Sequence, residues 1–83
     1  MNNIEKVAKY RSLLRSVLFG LYCNGGIDMS DKGKYDNEIN NTKTLVDVIF
    51  TLKTFISIAQ MNTIEYSQLQ KISIKLINLG YVI

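Results

Sequence analysis

The chain has 83 residues, a formal charge of +3 and 47% hydrophobic residues, with one Cys and no His, Pro or Trp. That length predicts one domain, near the lower limit for a self-sufficient core. The missing His removes the commonest general base and the commonest metal imidazole, and a lone Cys allows neither an intrachain disulfide nor a Cys/His zinc site.

Helix one is expected at about residues 3–22. Val7, Tyr10, Leu14, Val17 and Leu21 recur at alternating spacings of three and four, with Leu13 and Leu18 beside them. Glu5, Lys9, Ser12 and Ser16 fall opposite. Cys23-Asn24-Gly25-Gly26 ends the run, because Gly enters the left-handed conformation cheaply. Cys23 itself reads as a partly buried small apolar residue.

Residues 24–41 read as a polar loop rich in Asn, Asp and Gly, in which a short helical turn near Ser30 or Asp36 has room. Asp28, Ser30, Gly33 and Asp36 sit where a calcium loop places ligands and its central glycine. Lys32 and Ile39, however, stand where that loop needs a ligand and a bidentate Glu. A solvated loop is the expectation.

Helix two is expected at about residues 42–61, with Leu45, Val48, Ile49, Leu52, Phe55, Ile56 and Ala59 as its stripe. Its β-branched content would suit a strand, but its length is that of a helix. Val46, Phe50, Ile58 and Met61 lie off the stripe, so the segment is apolar nearly all round. That is the mark of a central or interface helix.

Helix three is expected at about residues 63–79. Asn62 reads as its N-cap, Glu65 as the capping-box partner, and Met61 with Tyr66 as a hydrophobic staple. Tyr66, Leu69, Ile72, Leu76 and Leu79 form its stripe, with Lys71, Lys75 and Asn78 away from it. Gly80 closes the helix, and Tyr81 folds back toward Leu76. A short link makes helices two and three an antiparallel hairpin. The fold class is therefore all-α: a three-helix bundle that completes its core by homodimerisation through Val46, Phe50, Lys53 and Ile58.

The polar start Met1-Asn2-Asn3-Ile4-Glu5-Lys6 does not read as a signal peptide, and no segment reads as transmembrane. A cytoplasmic location is expected. The abundance of Ile, Asn, Lys, Tyr, Phe and Met fits an A+T-rich genome, such as that of a phage or mobile element in a Gram-positive bacterium.

No catalytic constellation is visible: Glu5, Glu38 and Glu65 lie in different segments, and Ser and Thr have no base in a known motif. The expectation is a non-enzyme without cofactor or metal. The positive surplus lies on helix one. Lys6, Lys9, Arg11 and Arg15, with Phe19 and Tyr22, form the candidate surface for a partner.

Thr51-Leu52-Lys53-Thr54-Phe55-Ile56-Ser57-Ile58-Ala59-Gln60, with Tyr66-Ser67-Gln68-Leu69 and Leu79-Gly80, resembles the closing hairpin of the four-helix-bundle family that includes retroelement accessory proteins. The same run is similar to the last helices of small bacteriocin immunity proteins. Each likeness covers under half the chain and consists of hydrophobic spacing, and membership in neither family is claimed. The leading expectation is a small interaction protein that binds and modulates, by inhibition, another protein. One alternative is a nucleic-acid-binding accessory that uses the helix-one cations. The other is an immunity-type protein at the inner membrane surface.

Overall fold

The computed structural model describes residues 3–83, so Met1 and Asn2 of the polar start lie outside the described residues. Four helices follow one another: α1 (Asn3–Cys23), α2 (Met29–Asn40), α3 (Leu45–Ile58) and α4 (Ile64–Asn78). No strand occurs among the described residues. The expected polar loop is thus mostly a helix, and the three-helix count is corrected to four.

The apolar stripe of α1 is buried as its spacing predicts: Val7, Tyr10, Leu14, Val17, Leu18 and Leu21 all face the core. Its end is closed by two reverse bonds. The Gly26 amide donates to the Leu21 carbonyl at 2.9 Å and the Gly25 amide to the Tyr22 carbonyl at 3.1 Å. Gly25, at φ 76, supplies the left-handed residue this closure requires. Cys23 is exposed, against expectation, because it lies on the outer side of this last turn.

The α2 helix forms although its sequence is polar. Asp28 caps it by accepting from the Asp31 amide at 2.8 Å, which is the work of an N-cap carboxylate and not of a calcium ligand. Ile39 is its one fully buried residue, and the half-buried Tyr35 meets Phe55 of α3 edge-on at 5.5 Å.

The α3 helix starts later and stops earlier than expected. Thr44 and Asp47 form a reciprocal capping box at its start. At its end the Gln60 carbonyl accepts from both the amide and the hydroxyl of Thr63, at 3.2 and 2.6 Å, which turns the chain over. Met61 stands 80% exposed on that turn, so the staple with Tyr66 does not form. Thr63, not Asn62, is the N-cap of α4 and accepts from the Tyr66 amide. Glu65 therefore takes no part in a capping box. The other end of α4 is as expected: Gly80 adopts φ 100, and the Tyr81 amide donates to the Leu76 carbonyl at 3.2 Å.

Helices α1 and α3 each pack against all three others, while α2 and α4 do not meet. One cluster of buried apolar residues draws on all four helices. No helix among the described residues is long and apolar enough to cross a membrane.

Candidate functional site

The α1 cations divide into two groups. Arg11 and Arg15 face the join between α2 and α3. Arg11 Nε donates to Thr42 Oγ1 at 3.0 Å and its Nη2 to the Thr42 carbonyl, while Arg15 Nη2 donates to Asn40 Oδ1. Thr42 is itself buried, and its hydroxyl donates to the Ile39 carbonyl at 2.7 Å. Both guanidinium groups thus sit at the C-terminal end of α2, where the negative end of the helix dipole favours a cation.

Lys6 and Lys9 face the other way, toward α4. The Cβ direction of Gly20 points at Glu65, near the start of α4, and Asn24 Nδ2 donates to Glu65 Oε1. At the opposite end Lys6, Lys9 and Tyr10 share a hollow with Lys75, Asn78 and Leu79. The two helices are therefore antiparallel. Between these ends a second hollow, of about 150 Å³, lies among Leu13, Ser16, Val17, Gln68, Lys71, Ile72 and Lys75. Lys75 stands between the two hollows and lines both, so they lie end to end along the α1–α4 seam, which forms the candidate groove. No acidic residue lines either part.

Phe19 is 62% exposed and lines neither hollow. Tyr22 is half-buried, with the Lys32 ammonium 5.9 Å from its ring centre. Lys32 also pairs with Asp36 at 3.1 Å. On α3, Val46 and Phe50 are one turn apart and both largely exposed, and Lys53 continues the same exposed row. Ile58 lies off that row, half-buried against the core.

Burial pushes the Tyr10 hydroxyl above the ordinary tyrosine pKa. The amides of Lys43 and Thr44, donating to Asp47 Oδ2 at 3.0 and 3.2 Å, hold that carboxyl below the usual range. Among the described residues no three His, Cys, Asp or Glu side chains gather in a form that could hold a metal.

Sequence reading did not single out Lys71 and Lys75. Their signal is the absence of any acid after Glu65 combined with a lysine pair one turn apart. It acquires meaning only when α4 lies antiparallel to the lysine-bearing end of α1. Compared with models of protein families, with curated proteins and with solved structures, the chain matches none.

Proposed function

We propose that this chain is a small non-enzymatic interaction protein that binds another protein and modulates it by inhibition. The observation that carries this reading is the α1–α4 groove, apolar along its floor and rimmed by Lys6, Lys9, Lys71 and Lys75. Such a surface offers shape, apolar contact and charge, which are the elements of recognition. The carboxylates support the same reading, because several hold the fold together. Asp28 and Asp47 cap helices, Asp36 pairs with Lys32, and Glu65 accepts from Asn24.

A photo-crosslinking residue at position 71, in the cells that express the chain, tests this. It is expected to yield a protein adduct that the same residue at position 34, on α2, does not. Adducts to nucleic acid alone, or equal yields from both positions, would remove the reading.

The finer form of the proposal is a homodimer joined along the Val46, Phe50 and Lys53 row of α3. Phe50 is 74% exposed on a helix whose opposite side is fully buried, so a second copy of the row would cover it. A monomeric mass by light scattering at micromolar concentration would remove the dimer and leave the groove untouched.

A further inference from the structure

Four lysines and an apolar floor impose different demands on whatever fills the α1–α4 groove. The hollow at its centre is mostly apolar, with half-buried Leu13 reaching solvent above the buried Val17 and Ile72, and only apolar groups cover it well. The rim brings Lys6, Lys9, Lys71 and Lys75 together with no carboxylate among the lining residues. None of the four ammonium groups has a hydrogen-bond or ion-pair partner among the described residues. From Lys6 to Val17 the groove follows α1 for about 17 Å, the length of roughly three helical turns.

We propose that the groove receives an amphipathic acidic helix of a partner protein. Its apolar side lies over the hollow at Leu13, and its flanking carboxylates meet the four lysines. This rests on the protein-binding reading above and adds the chemistry of the partner. A nucleic-acid backbone satisfies the lysines but leaves the apolar floor uncovered, and Tyr10, 5% exposed, presents no face for a base to stack on. A second copy of the chain offers no suitable helix. The exposed row of α3 carries Lys53, α4 exposes Ile74 and Ile77 but has no acid after Glu65, and α2 interleaves Lys32 and Lys34 with its acids while Ile39 stays buried.

The test is an NMR titration of the intact chain with three probes. These are a synthetic helical peptide of about 14 residues with a Leu stripe flanked by Glu, an oligothymidylate of similar length, and phosphatidylserine vesicles. The peptide is expected to shift the methyl signals of Leu13, Val17 and Ile72. Its affinity is expected to fall at least about tenfold in the double variant Lys71→Glu with Lys75→Glu, and likewise in Lys6→Glu with Lys9→Glu. The two pairs lie on different helices, so a folding defect in one variant leaves the other as the test.

Three outcomes would overturn the proposal: no methyl shift at about 1 mM peptide, shifts confined to α3, or tighter binding of the oligonucleotide or the vesicles. A silent peptide alongside position-71 protein adducts would reject the acidic helix and keep the protein-binding function.

Discussion

Arg11 illustrates how one side chain takes a structural place that its charge alone does not announce. It reaches from α1 to both the hydroxyl and the carbonyl of buried Thr42, tying the end of α2 to the start of α3. A charge-assisted bond to a buried group contributes about 1.5–3 kcal/mol. Arg11→Ala is therefore expected to lower unfolding free energy by about 2 kcal/mol in urea. Arg11→Lys should recover less than half of that, because an ammonium cannot reproduce the two-pronged geometry. A loss under about 0.5 kcal/mol would return Arg11 to the ordinary surface. Gly20 is the second case. A Cβ placed there would stand 2.7 Å from Glu65 Oε1, which is already held by Asn24. Ala in place of Gly favours a helix by about 1 kcal/mol, but here it must displace a buried carboxylate from its partner. Gly20→Ala is expected to destabilise by about 1 kcal/mol in the native background and to stabilise by about 1 kcal/mol once Glu65→Ala has emptied the space. The same sign in both backgrounds would mean that Gly20 is not held by this contact.

At the level of the helix, the start of α3 depends on Asp47, whose carboxylate takes the Lys43 and Thr44 amides while Thr44 Oγ1 accepts from the Asp47 amide. Because the folded state holds this carboxyl below its unfolded pKa, the cap contributes stability above about pH 4 and loses it as pH falls through the lower folded value. The gap in urea midpoint between the native chain and Asp47→Ala should be open at pH 7 and narrow toward pH 2; a gap independent of pH would show that the ionised form is not what caps α3. The same helix shows what the sequence reveals. Its stripe, the stripe of α1, that of α4 up to Leu76 and the Gly80 closure were legible, because each repeats at the helical period or ends on a glycine free to adopt positive φ, whereas Leu79, read as part of the α4 stripe, lies exposed at the C-cap. The capping box at Thr44 was hidden because the expected start fell at residue 42, so the cap lay inside the predicted helix. The α2 helix was illegible for a different reason. It has one buried residue, Ile39, and carries Gly33 in its interior, so neither period nor propensity marks it. What holds it is the Asp28 cap, the Tyr35–Phe55 contact and the two arginines from α1, and three of these four lie outside any local pattern. The candidate groove was half legible for the same cause: Lys6 and Lys9 stood out as a cationic surplus, but their neighbours on α4 are brought to them only by tertiary packing.

Across the molecule, charge is segregated. Five of the seven acids, Asp28, Asp31, Asp36, Glu38 and Asp47, belong to α2 and the helix starts around it, with Glu5 on α1 and Glu65 at the start of α4, whereas the α1–α4 groove gathers Lys6, Lys9, Lys71 and Lys75 with no acid in its lining. Like charges collected on one side repel, and a pair one turn apart on a helix, as Lys71 and Lys75 are, adds to that cost. A surface shaped by folding alone gains by breaking up such a cluster, whereas a binding surface keeps it and loses some stability. Lys71→Gln is therefore expected to raise the melting temperature by about 2 °C at low salt, since Gln is as good a helix former as Lys and relieves the repulsion. The gain should vanish near 0.5 M salt, where the screening length falls to about 4 Å and the ammonium groups no longer sense one another. The same substitution should weaken the acidic helical peptide. Stabilisation and weakened binding arising together from one lysine would identify the cluster as maintained for recognition. A Lys71→Gln chain that is no more stable than the native one, or whose gain survives high salt, would show that the lysines do not form an electrostatic unit, and the charge argument for the groove would fall with it.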